Sequence, residues 1–146
     1  VWAEDWHFDL ELLTKCERLY FLDVVFTHYR VGRQGSLLTD AKNLPKRFKG
    51  VAAAQRRLAK LSASGAVDAE TYAVMENAAA DVFWPQARTA AVKDAATRKA
   101  CLPYIQQLRP LYACGTEVKT RRDWRVFQWM MQTFGPKFTL WAASRR

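Results

Sequence analysis

At 146 residues the chain is long enough for one domain with a core of its own. Half of its residues are hydrophobic and a quarter are charged, which excludes a chain disordered throughout. The formal net charge of +9 points to anionic partners (nucleic acid, anionic lipid or phosphorylated substrates) without choosing among them. Six Trp, eight Phe and five Tyr are a heavy aromatic load, suited to a core, a sugar-binding surface or a membrane-interface belt. Cys16, Cys101 and Cys114 are odd in number and lack both CxxC and zinc spacing, so they read as reduced thiols of a cytosolic protein with no metal site. No apolar run reaches the roughly 18 residues that span a membrane, and no secretory signal opens the chain. The first residue is Val1, and the chain opens directly in a motif, so a piece of a longer protein is expected.

The first predicted element is a helix from Glu4 to Glu17. Trp6, Leu10 and Leu13 recur at i, i+4 and i+7, with Phe8 and Leu12 beside them. Asp5 stands where an N-cap carboxylate accepts from the free amides of a first turn. Arg18 to Tyr29 reads as extended chain, because Leu19, Tyr20, Phe21, Val24, Val25 and Phe26 are strand formers interrupted at Asp23. Residues 30–36, with glycines at 32 and 35, are a loop. Beyond Ser36 the pattern is helical. Pro45 suits a first turn, Phe48, Val51, Leu58 and Leu61 share one face, and Gly65 is the stop. Asp68 caps a second helix whose inner face takes Tyr72, Met75, Ala79 and Val82, and Pro85 kinks or ends it. A further run reaches Leu108 and closes at Pro110. Thr120 with Asp123 forms a variant capping box. It opens a helix carrying Trp124, Phe127, Met131 and Phe134 that ends at Gly135-Pro136. Residues 137–146 are amphipathic at best. Near Ser36 the composition shifts from mixed and aromatic to alanine-rich and basic.

The informative stretch is Glu4-Asp5-Trp6-His7-Phe8-Asp9-Leu10-Glu11-Leu12-Leu13. It is followed by Val24-Val25-Phe26-Thr27-His28-Tyr29-Arg30 and then Gly32-Arg33-Gln34-Gly35-Ser36-Leu37. In order and spacing this resembles the family-2 glycosyltransferases of bacterial polysaccharide assembly, over residues 2–40. The resemblance implies the end of a GT-A catalytic domain at residues 1–40 and a C-terminal helical region at 41–146. The expected fold class is mainly α with one or two short N-terminal β-strands, as the C-terminal portion of an α/β GT-A enzyme. Such an enzyme moves a sugar from a nucleotide-diphosphate donor to a saccharide or lipid-linked acceptor, with inversion. The family's motif Asp falls on Asp5, which the resemblance makes the general base that takes the acceptor hydroxyl's proton. Glu4 supports it at the acceptor. Read without the resemblance, Asp5 is an N-cap, and the two roles coexist on one exposed carboxylate.

The other candidate site residues are Trp6, Tyr29, Arg30, Arg33 and Ser36. Trp6 stacks on a sugar face or packs in the core. Arg30 and Arg33 stabilise the departing diphosphate by two-point contacts or are solvated surface residues. Many members of the family have a His near Arg33, and any role borrowed from that His falls away here. His28 reads as a packed imidazole and His7 as a helix-surface residue. The family's Asp-x-Asp metal motif and nucleotide-binding strands do not occur in the sequence. A divalent metal, Mg or Mn, is therefore expected only in a full-length enzyme, and the chain alone is expected to be inactive.

Lys42, Lys46, Arg47, Lys49, Arg56, Arg57 and Lys60 occupy a stretch without acids, and Lys119, Arg121, Arg122, Arg125, Lys137, Arg145 and Arg146 recur near the end. Trp124, Trp129, Phe138 and Trp141 are interleaved with the second group. Basic helices with aromatic anchors suit an anionic surface, here the cytoplasmic face of a bacterial inner membrane. The plain alternative is a solvated helix face. The alternative to an enzyme is a basic helical membrane-surface or nucleic-acid-binding module without catalysis. No helix-turn-helix, zinc finger or RNA-recognition motif supports nucleic acid. Isolated strands would leave exposed edges, which favour a homo-oligomer.

Overall fold

The computed structural model describes residues 9–12, 14–18, 20, 41–120 and 122–145. Residues 9–12 are helical, and the chain then turns at Thr14 and Lys15 instead of continuing to Glu17. The Thr14 hydroxyl donates back to the Leu10 carbonyl at 2.9 Å and to the Glu11 carbonyl at 3.1 Å. Lys15 N–H then bonds to the Leu12 carbonyl at 3.0 Å, an i→i−3 turn where a continuing helix would use the Glu11 carbonyl. Arg18 and Tyr20 carry no regular secondary structure. The rest of the expected strand and the loop at 30–36 lie outside the described residues.

After a short 3₁₀ turn at Ala41–Asn43, helix α1 spans Leu44–Ala63 with Pro45 in its first turn. Phe48, Val51, Leu58 and Leu61 are buried on one face, as their spacing predicts. The helix closes in a Schellman arrangement. Ala66 N–H donates to the Leu61 carbonyl at 2.9 Å and Gly65 N–H to the Ser62 carbonyl at 3.0 Å.

Helix α2 spans Ala69–Ala91. Its N-cap is Asp68, whose carboxylate accepts from Thr71 N–H at 2.7 Å. That bond holds the Asp68 carboxyl below its ordinary value. The inner face differs from the predicted one. Ala79, Ala80, Phe83, Trp84, Ala87, Ala90 and Ala91 are buried, Tyr72 and Met75 are partly so, and Val82 is exposed. Pro85 neither ends nor breaks α2. The flanking residues Phe83, Trp84 and Ala87 are fully packed, and their burial outweighs the amide hydrogen bond that proline gives up.

Helix α3 spans Ala95–Gln107 and is capped by Asp94, which accepts from Thr97 N–H at 2.8 Å. It ends before Leu108, and a 3₁₀ turn at Arg109–Ala113 follows, with Pro110 at its start. Helix α4 is a single turn at Glu117–Thr120. Helix α5 runs from Arg122 to Ala143 and is broken by non-helical geometry at Gly135, where φ is +77°. The expected stop at Gly135-Pro136 is thus a redirection, and the helix resumes through residues read as a weak tail. Thr139 and Leu140 are buried in that second half, and the Thr139 hydroxyl is satisfied by the Gly135 carbonyl at 2.9 Å.

Helix α1 packs on α2 and α3, while α5 lies against α2, α3 and the 3₁₀ turn. Phe83 is at the centre. Its ring meets Phe48 at 6.0 Å and Trp84 at 5.0 Å edge-on, and stacks on Tyr112 at 5.8 Å. Trp84 meets Phe127 of α5 edge-on at 6.1 Å. Each such pair adds about 0.5–1.5 kcal/mol beyond simple burial. Both polar handles are satisfied: Trp84 Nε1 donates to the Cys114 carbonyl at 2.9 Å, and the Tyr112 hydroxyl donates to the Ile105 carbonyl at 2.8 Å. Burial pushes the Tyr112 hydroxyl's pKa upward. The turn before α4 is fastened to α2 by Asn77 and Asp81, which accept from Gly115 N–H at 2.9 Å and Thr116 N–H at 2.8 Å. A smaller cluster of Leu10, Leu58, Leu61 and Val67 joins the 9–12 segment to α1.

Candidate functional site

The outer face of α5 is the most unusual surface of the described chain. A helical repeat sends Trp124, Phe127 and Met131 inward, and the kink at Gly135 lets Leu140 rejoin the core. The remaining large rings are left outside. Trp129 is 55% exposed, Phe134 51%, Phe138 44% and Trp141 48%. These rings touch in series. Centroids are 5.4 Å apart from Trp129 to Phe134, 5.1 Å from Phe134 to Phe138, and 5.8 Å from Phe138 to Trp141. The Arg145 guanidinium lies 4.4 Å from the centre of the Trp141 ring. Single exposed apolar residues are ordinary, but a contiguous row marks a contact surface.

The charge around that row is one-sided. Between Arg122 and Arg145 the sole acid is Asp123, and it pairs with Arg88 of α2. Lys137 and Arg145 are exposed at the row itself, and Arg122 and Arg125 at the start of α5. The basic face of α1 is of another kind. Arg57 pairs with Glu11, Arg56 donates to Gln107 at 2.9 Å, and among the described residues α1 itself carries no large exposed aromatic.

Clefts adjoin the helices. A cleft of about 460 Å³ opens at the α5 kink, with Arg109, Gln132, Thr133 and Phe134 on its wall. Another, of about 320 Å³, lies between the α2 end and α5 beside the Arg88–Asp123 pair. A third, about 160 Å³, is largely apolar and lies between the 9–12 segment, α1 and α2. There Gln55 donates to Glu76 Oε1 at 2.9 Å, and its own Oε1 has no partner among the described residues. Tyr72 donates to the same Glu76 oxygen at 3.2 Å. Burial, then the Glu76 charge, raises the Tyr72 pKa.

Cys101 is buried and its thiol pKa is pushed up to about 11, so it is inert at neutral pH. Cys16, Cys101 and Cys114 form no disulfide. Among the described residues no group of three or more His, Cys, Asp or Glu is placed to hold a metal ion. Among them, too, no helix is long and apolar enough to cross a membrane.

The sequence-predicted site residues Glu4, Asp5, Trp6, Tyr29, Arg30, Arg33 and Ser36 lie outside the described residues, as do His7 and His28. The aromatic set read from the sequence is corrected in two places. Trp124 is buried and cannot serve a surface, whereas Phe134, which the sequence places on the same helix but not among the surface aromatics, is exposed and central to the row. The signal for Phe134 was the adjoining Gly135-Pro136, which changes the helix direction before the apolar stripe can continue. Set against protein-family models, curated proteins and solved structures, the chain has no match.

Proposed function

We propose that the helical domain is a membrane-surface docking element, and that it serves an inverting glycosyltransferase of bacterial cell-surface polysaccharide synthesis. The observation that carries the docking half is the row Trp129–Phe134–Phe138–Trp141 with Lys137 and Arg145 beside it. Aromatic rings favour the headgroup boundary, and basic side chains next to them are attracted to anionic lipid. Each Lys or Arg near such a surface contributes about 1 kcal/mol, so Lys137 and Arg145 together favour anionic over neutral vesicles by roughly thirtyfold. In this reading α5 lies in the plane of the cytoplasmic leaflet, close to a lipid-linked acceptor.

The catalytic half rests on the order of motifs between Glu4 and Leu37. Asp5 is the base that deprotonates the acceptor hydroxyl, Glu4 assists at the acceptor, and Trp6, Tyr29, Arg30, Arg33 and Ser36 line the sugar and diphosphate. Donor and divalent metal are held by polypeptide other than these 146 residues. One observation favours joining the two halves: Leu10 is buried against Leu58, Leu61 and Val67, and Glu11 pairs with Arg57. The segment that follows the motif is thereby seated on α1.

Vesicle sedimentation tests the docking half. The expected result is binding to phosphatidylglycerol vesicles but not to neutral phosphatidylcholine, lost at high salt and lost in a Trp129→Ala/Phe138→Ala variant. Equal binding to both vesicle types, or none, contradicts it. For the catalytic half, Asp5→Asn in an active enzyme should abolish sugar transfer with donor affinity retained, and full transfer by that variant excludes Asp5 as the base.

A further inference from the structure

The docking row ends against a polar cleft, and the two share a residue. Phe134 belongs to the exposed ring series and also walls the cleft of about 460 Å³ at the α5 kink. That cleft contains one cation, Arg109, which is exposed and has no carboxylate partner among the described residues. Gln106 and Thr133 stand beside it with side-chain donors not engaged elsewhere among the described residues. Gln132 is fixed, since its Nε2 donates to the Tyr112 carbonyl at 2.6 Å. The Tyr112 hydroxyl is likewise committed to the Ile105 carbonyl. The cleft therefore has a rigid floor and a set of free donors at its mouth, next to a surface suited to lipid.

We infer that this cleft is a lipid-phosphate site, which takes the phosphomonoester head of an anionic lipid whose chains lie along the aromatic row. The inference rests on the docking reading. The chemistry is that of a guanidinium fork matching two phosphate oxygens, with an amide and a hydroxyl available to a third. A monoester presents its oxygens without a second substituent to be accommodated beside Phe134. A carboxylate head offers two oxygens and leaves one donor idle. The cleft lies at the break in α5: Gly135, whose φ is positive, lines it together with Thr133 and Pro136.

The test uses the full chain and phosphatidylcholine vesicles containing either phosphatidate (a monoester) or phosphatidylglycerol (a diester), matched for surface potential. The expected result is about tenfold tighter binding to phosphatidate, reduced to parity by Arg109→Gln, with phosphatidylglycerol binding kept. Thr133→Val should reduce the preference in part. Inorganic phosphate at matched ionic strength should not remove the preference. Three outcomes overturn the inference: equal binding to the two lipids by the wild type, an equal loss on both lipids in Arg109→Gln, or displacement by inorganic phosphate, which would assign the cleft to a soluble phosphate. Absence of wild-type binding to either anionic vesicle is a different failure and removes the docking reading itself.

Discussion

Arg57 of α1 donates a hydrogen bond to Glu11 and so fastens the segment that follows the acidic motif to the helical domain. Leu10 adds an apolar contact at the same place. Lys15 completes the cluster at 3.1 Å from Glu11. Both partners of the Arg57–Glu11 pair are half-exposed and open to solvent screening, so the pair orients the segment more than it stabilises the fold.

Arg57→Gln should therefore loosen residues 9–16 without moving the global unfolding midpoint. Amide exchange at Thr14 and Cys16, whose N–H groups bond to the Leu10 and Leu12 carbonyls, should accelerate. Unchanged exchange would show that Leu10 alone seats the segment.

The same cluster sets an acid sensitivity. The hydrogen bond from Lys15, followed by the charge of Arg57, holds the Glu11 carboxyl below its ordinary value of 4.5. A folded-state pKa lower than the unfolded one means that the contribution is complete above 4.5 and disappears as pH falls through the lower folded value. The Asp68 and Asp94 caps behave alike around 3.8, held down by Thr71 and Thr97 amides. Stability followed by urea titration should thus be flat from neutrality to about pH 5 and fall below that. Because the Glu11 cluster seats residues 9–16 and not the global fold, Glu11→Gln should leave that profile unchanged and instead remove the acid sensitivity of amide exchange at Thr14 and Cys16; exchange whose pH response the variant does not alter contradicts the assignment.

Gly115 and Gly135 both have positive φ, at +112° and +77°, but only Gly115 is crowded. A Cβ at 115 would meet Trp84 Cδ1 at 3.1 Å, whereas one at 135 meets nothing within 4 Å. Gly135→Ala should cost about 1–2 kcal/mol, the strain of a left-handed L-residue. Gly115→Ala should cost more, because the Trp84 indole is hydrogen-bonded and packed on both sides. Equal losses in denaturant unfolding would contradict the role given to Trp84.

Core and surface aromatics should separate cleanly. Phe83→Ala should cost about 3–5 kcal/mol in unfolding. Phe138→Ala should stay within about 0.5 kcal/mol while weakening vesicle binding. A large stability loss at Phe138 would make the row part of the fold and not a docking surface.

Much of the helical architecture is legible in the sequence. The stripe Phe48–Val51–Leu58–Leu61, the stop at Gly65 and the cap at Asp68 follow from local rules, and tertiary packing agrees with them. Local rules fail where packing overrides them. Pro85 and Pro103 lie inside helices because the neighbouring residues Trp84 and Cys101 are buried. Spacing alone assigns Val82 inward, yet it is exposed, while Ala80 and Ala87, outside the predicted inner face, are buried beside the predicted Ala79. Residues 137–146 read as amphipathic at best, yet Thr139 and Leu140 give this segment an inner face. Of the candidate site, Trp129, Phe138 and Trp141 were visible as aromatics among basic residues. Their contiguity was not, because it depends on the change of direction at Gly135.

The docking reading is tested most directly by fluorescence quenching with lipids brominated on the acyl chains. Trp129 and Trp141 are exposed on α5, while Trp84 and Trp124 are buried in the protein. With Trp2 and Trp6 replaced by Phe throughout, so that these four indoles alone report, strong quenching is expected in anionic brominated vesicles, and its loss in a variant that also carries Trp129→Phe/Trp141→Phe and still binds. Binding without quenching, or quenching that survives both substitutions, would contradict it.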